Sequence, residues 1–187
     1  MKRLYYLLLV VAVSSCSDKD VDYHQEISRL KPRVNRISTQ MASLGFPINA
    51  DDIVISVKSP AEMAESFDRI NDASRQENQT YVASAQNRDP NVGQFRLAYY
   101  DPNSKTLVVR AGASQKLTDG YLAHELAHVY QDQKWGLAAI WQPYQEEPSH
   151  ELFNITQYLI EGYAELVQQA YEQKHADDSV EKSDLTT

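Results

Sequence analysis

His124, Glu125 and His128 stand in the order H-E-x-x-H inside the run Tyr121–Tyr130 (YLAHELAHVY). Two imidazoles four residues apart can share one divalent ion such as zinc, with the glutamate between them placed to act on a water at that ion. Four residues advance a helix by about 400°, so His124 and His128 share a face, roughly 6 Å apart along the axis. Glu125 is offset by about 100° and lies beside that pair. Zinc on neutral imidazoles keeps a position open for water and lowers its pKa from about 15.7 towards roughly 7. A neighbouring carboxylate can take the proton and later deliver it to a leaving group. The chemistry implied is metal-assisted hydrolysis.

The surroundings favour a site over a solvated surface helix. Tyr121, Leu122, Ala123, Leu126, Ala127, Val129 and Tyr130 are uncharged, and no Pro or Gly falls between Tyr121 and Trp135. A surface helix would carry more charge than this. A second helix is expected from about Ser149 to His175, and within it lies LIEGYAELV, Leu159–Val167. Its Glu161 and Glu165 are spaced i, i+4 and share a face. One can bind the metal, and the other can accept the outer N–H of a metal-bound histidine and fix its tautomer. Gly162 costs about 1 kcal/mol relative to Ala inside a helix, which a close approach to the first helix would justify.

HELAH followed by an EGYAE helix resembles the gluzincin clan of zinc metallopeptidases, the thermolysin-like group, and the longer string HELAHVYQDQ with EGYAEL also resembles the compact minigluzincins. The resemblance spans roughly residues 95–170. It implies a peptide bond as the target and zinc as the cofactor. It also implies His124, His128 and Glu161 as metal ligands, Glu125 as general base, and Glu165 as the partner of His124. Two departures stand out: thirty-two residues separate His128 from Glu161, and Glu165 replaces the Asp of thermolysin itself. A metzincin would need Gly at 131 and His at 134, where this chain has Gln131 and Lys134. HELFN at His150–Asn154 lacks a second His, although His150 alone remains a possible ligand. His24 and His175 are expected in solvent, and Asp132 on an exposed helix end. Tyr144, Tyr158, Tyr163 and His150 are candidate donors to an oxyanion.

The amino terminus supplies an address. Lys2 and Arg3 precede an uncharged, mostly apolar stretch, Leu4–Val13, too short to span a bilayer comfortably, and VSSC follows at Val13–Cys16. This layout resembles the lipobox of bacterial lipoproteins. It implies cleavage before Cys16 and lipidation of that residue, with two or three acyl chains giving stable anchoring. Ser17 after the cysteine leans towards the outer membrane. Cys16 is the only cysteine, so no internal disulfide can form and no thiolate is left for zinc. Removing residues 1–15 takes away Lys2 and Arg3 and no acid, so the formal charge falls from −8 to −10. That argues against nucleic acid as a partner.

The positioning elements read as a small α+β, zincin-like fold. About 170 residues after the signal suffice for one domain. Tyr23, Ile27, Leu30, Val34, Ile37, Met41 and Leu44 form an apolar helical stripe, stopped at Gly45 with Pro47 beyond. Pro32 falls inside it, which predicts a kink or a break. Asp52–Val57 reads as a strand. Ser59–Glu62 (SPAE) reads as a capping box with Pro60 first in the helix, and Asn71–Gly93 as irregular. Gln94–Gly112 reads as a hairpin turning at Asp101–Lys105. By resemblance, Leu107–Arg110 would edge the cleft and pair with an extended peptide.

The expected organisation is a signal peptide at 1–15, a lipid-anchored tether at 16–22, a zincin-like domain at 23–175 with a mostly antiparallel sheet, and a polar tail at 176–187. The expected function is peptide-bond hydrolysis by a zinc-activated water with Glu125 as general base, at a bacterial envelope. The alternative is a catalytically inactive zincin-like lipoprotein serving as a binding or assembly module. Glu125 speaks against it, since such a module has no need of the base. A third reading makes both motifs coincidental.

Overall fold

A computed structural model of the chain describes residues 22–63, 65, 66, 97–140 and 150–180, apart from the side chains at 150, 153 and 176–180. Cys16 and the segments 1–15, 16–21 and 71–93 lie outside the described residues.

The apolar stripe near the amino terminus folds as helix α1, Tyr23–Ser43, started by Asp22, whose side chain accepts from the Gln25 N–H. Leu30, Val34, Ile37 and Met41 are buried along it. Gly45, at φ +93°, ends it in a conformation that costs only glycine nothing. α1 runs through Pro32 as one helix and does not break into two. Pro32 and Ser28 are exposed, so water can bond the Ser28 carbonyl that a proline ring leaves without its usual N–H.

A 3-10 turn, Ala50–Asp52, leads into strand β1, Val54–Lys58. The capping box follows as expected: the Ser59 N–H donates to Glu62 Oε2 at 2.8 Å, and the Glu62 N–H donates to Ser59 Oγ at 3.2 Å. β2 (Ala98–Asp101) and β3 (Thr106–Arg110) form the hairpin, turned by an Asp101 carboxylate that accepts from the Asn103 N–H and the Ser104 hydroxyl. The sheet order is β1-β3-β2. β3 pairs antiparallel with β2 and parallel with β1, so the sheet is mixed where a mostly antiparallel one was expected. β3 is therefore the central strand, and Leu107–Arg110 cannot serve as a cleft edge. Both of its sides are already hydrogen-bonded.

Helix α2, Asp119–Trp135, carries H-E-x-x-H. Thr118 caps it, its hydroxyl accepting from the Tyr121 N–H at 3.0 Å, and Gly136 at φ +70° closes it. Helix α3, His150–Val180, is kinked at His175 and runs past the boundary expected at 175. His175 is not in solvent. Its ring lies 4.9 Å from that of Tyr171, and its Nδ1 lies 3.4 Å from Gln40 Nε2 of α1.

One core joins these elements: Leu30, Val34 and Ile37 from α1, Leu107 and Val109 from β3, Leu122, Leu126 and Val129 from α2, and Ala164, Val167 and Tyr171 from α3. Arg33 and Arg36 of α1 both pair with Asp119, and Arg33 also donates to the carbonyls of Ser114 and Leu117. That clamp fixes the amino end of α2. No described helix is long and apolar enough to cross a membrane.

Candidate metal centre

α2 and α3 run antiparallel, since Gly120 meets Glu172 at one end of the pair and Gln131 meets Ile160 at the other. The close approach lies at Gly120, not at Gly162. A Cβ on Gly120 would sit 1.9 Å from Glu172 Oε1, whereas one on Gly162 would meet nothing within 4 Å. Gly162 is on the exposed side of α3, so the helix crossing does not explain it.

Between those ends the three expected ligands converge. His124 Nε2 is 3.4 Å and His128 Nε2 3.6 Å from the same oxygen, Glu161 Oε2. All three potential ligand atoms lie within 4.8 Å of one another. Zinc bound tetrahedrally at about 2.0–2.1 Å needs ligand atoms roughly 3.3 Å apart. The separations to Glu161 are close to that value. Two imidazoles and one carboxylate are also a donor set typical of catalytic zinc, with one position open. The residues present fit the metal.

The histidines are the buried part of the set, with side chains 18% and 12% exposed, while Glu161 is 54% exposed. The two imidazoles, His124 first, hold the Glu161 carboxyl far below the usual carboxylate range against the opposing effect of its burial. At His128 burial works to lower the pKa, but Glu161, Glu125 and Gln131 outweigh it and the imidazole is raised.

Glu125 is buried, with 4% exposed, and its Oε2 accepts from the backbone N–H of Tyr100 at 3.0 Å. That N–H belongs to the side of β2 facing away from β3. The neighbouring outward carbonyl, at Ala98, accepts from the Tyr121 hydroxyl at 3.2 Å. The strand edge turned towards the centre is therefore β2. Tyr100 is itself anchored through its hydroxyl, which donates to Asp132 Oδ2 at 2.9 Å. Burial, then Asp132, pushes the Tyr100 phenol well above its ordinary value. Asp132 also accepts from the Leu137 N–H, so it holds the chain after α2 and does not reach the three ligands.

Glu165 does not join the site. It is exposed, its carboxylate accepts from Gln169 Nε2 on its own helix, and no hydrogen bond links it to His124. Four residues rotate a helix about 40° beyond a full turn. The stripe Ala164, Val167 and Tyr171 faces the core, Glu161 flanks it, and Glu165 is carried further round towards solvent. The Tyr163 ring is committed to packing against Phe46, Tyr130 and Trp135, and Tyr158 is 77% exposed. Tyr144 and the side chain of His150 lie outside the described residues.

No family model, no curated protein and no solved structure matches this chain. The geometry therefore stands on its own residues. Two contributors are not evident from the motif alone. One is the Tyr100 N–H, which sequence spacing cannot place. The other is Gln131, 1% exposed and hydrogen-bonded to His128. Its i+3 spacing from that histidine was the available signal.

Proposed function

We propose that this chain is a zinc-dependent peptidase of the cell envelope, anchored to a bacterial membrane, the outer one by the residue after the cysteine, through lipid on Cys16. The observation that carries the reading is the meeting of Glu161 with both imidazoles of His124 and His128, from separate helices and across thirty-two intervening residues. Isolated H-E-x-x-H strings arise by chance, and a carboxylate oxygen 3.4 Å and 3.6 Å from the two imidazole nitrogens is what raises this one above that background.

His124, His128 and Glu161 would hold the ion. When bound, zinc supplies a Lewis acid that makes water nucleophilic near neutral pH. Glu125 follows His124 on α2 with one oxygen held by the Tyr100 N–H, and it would accept the proton and return it to a leaving amine. The outward Tyr100 N–H and Ala98 carbonyl of β2 are already bonded, to Glu125 and to the Tyr121 hydroxyl, so they line the centre and are not a pairing edge for a peptide. The acidic chain disfavours nucleic acid as a partner.

Zinc-loaded wild type and Glu125→Gln, assayed on a broad peptide library, test the reading. Gln keeps an acceptor for Tyr100 and loses the base. The wild type should cleave, and the variant should be slower by roughly 10²-fold or more with zinc content unchanged. Equal inertness of the two would replace the peptidase with a zincin-like binding or assembly module.

A further inference from the structure

We propose that Gln131 is a positioning residue that fixes the tautomer of His128 and straps α2 to α3 beside the third ligand. The inference rests on the reading of His128 and Glu161 as metal ligands. Gln131 is fully buried, a costly place for an amide unless both of its ends are bonded. Both are. Its Oε1 lies 2.8 Å from His128 Nδ1, and its Nε2 donates to the Ile160 carbonyl at 2.9 Å.

The chemistry allows one orientation. The Ile160 carbonyl can only accept, so the amide must present its NH2 there. Its oxygen then faces His128, and the ring must carry its proton on Nδ1 to donate. That leaves Nε2, the atom 3.6 Å from Glu161 Oε2, with its lone pair free for a metal. Ile160 immediately precedes Glu161. One side chain thus sets the donor atom of one ligand and the position of the backbone carrying another. It does from α2 what Glu165 was expected to do from α3, and it does so for the other histidine.

Two variants separate the arms. Gln131→Met keeps length and apolar bulk and removes both bonds. Gln131→Glu keeps an acceptor for Nδ1–H and loses the donor to Ile160. The readouts are 15N shifts of the His128 ring in metal-free protein, at a pH where the ring is neutral, and zinc affinity by chelator competition.

In the wild type and Gln131→Glu the proton should reside on Nδ1, and in Gln131→Met that preference should be lost. Zinc affinity should fall about 10–100-fold in Gln131→Met, the usual consequence of removing such a partner, and less in Gln131→Glu. An unchanged tautomer in Gln131→Met, or wild-type zinc affinity in that variant, would overturn the proposal. If Gln131→Met does not fold, a Gln131→Glu ring protonated on Nε2 overturns it and one protonated on Nδ1 upholds it. A wild type that binds no zinc would instead defeat the metal reading, while the tautomer comparison would still decide the role of Gln131.

Discussion

α2 and α3 each contribute to the same centre, yet they are built differently. α2 is buried along most of its length: Leu122, Ala123, Glu125, Leu126, Ala127, Val129, Tyr130 and Gln131 all lie inside. α3 is one-sided. Ala164, Val167 and Tyr171 face the core, while Leu152, Ile155, Tyr158, Leu159 and Leu166 stay exposed. The histidines inherit the rigidity of the first helix. Glu161 inherits the half-exposed setting of the second and depends on how α3 is docked. The difference teaches that the centre has a fixed wall and an adjustable one. Gln131, buried in the fixed wall and bonded to the backbone of the other, is where they are tied together.

The sharpest way to break that contrast is a matched pair of truncations. Leu126→Ala, in the fully buried part of α2, should cost about 2–5 kcal/mol by denaturant unfolding. Leu166→Ala, 65% exposed on α3, should change stability by less than about 0.5 kcal/mol. Comparable losses from both would mean that α3 is not one-sided in solution.

On the metal side, His128→Ala should lower zinc affinity by roughly 10²-fold or more. Binding energies of roughly 10–16 kcal/mol at four-ligand zinc sites assign some 3 kcal/mol to each ligand. Chelator competition measures it. Glu161→Asp shortens the ligand from the adjustable wall by one methylene and should cost less than His128→Ala. A larger loss would make α3 the rigid partner.

Acid–base behaviour sharpens the same point in metal-free protein. Glu161 is lowered from about 4.5 by its two imidazoles, so its contribution to stability is present above that pH and is lost as pH falls. His128 is raised from about 6.5, so its contribution is full below that value and is lost as pH rises through the folded one. The share of stability due to these two groups should therefore be greatest between about pH 4.5 and 6.5. Zinc affinity should rise with pH, since His128 must shed its proton to bind. Unfolding midpoints across pH, with and without chelator, check both slopes.

The smallest effect belongs to Gly162→Ala. Open space surrounds the added methyl, so the variant should stabilise α3 by up to about 1 kcal/mol without disturbing the metal. Gly120→Ala must push the Glu172 side chain aside and should gain less.

What the residues revealed in advance follows from the range of the forces involved. The shared face of His124 and His128, the Ser59–Glu62 box, the Gly45 stop and the Asp101–Lys105 turn depend on neighbours within a few positions, and spacing displays them. Spacing picks out Glu161 and Glu165 as a pair, and Glu161 stands as the ligand only because its helix resembles a known pattern. Glu165 was misplaced because the rotation of α3 is set by Ala164, Val167 and Tyr171 docking on distant elements. The same limit hid the central place of β3, the crossing at Gly120 and the second partner of Gln131, a backbone carbonyl on another helix. Pro32 predicted a kink or a break by its local rule, and α1 continues through it as one helix.

The account turns on whether a carboxylate from α3 completes a pair of histidines on α2. Zinc stoichiometry of the purified protein at equilibrium, wild type against Glu161→Ala at a free zinc concentration just sufficient to saturate the wild type, tests this most directly. The account predicts one zinc per chain in the wild type and a small fraction of one in the variant. A wild type that binds none, or a Glu161→Ala that saturates alongside it, would contradict it.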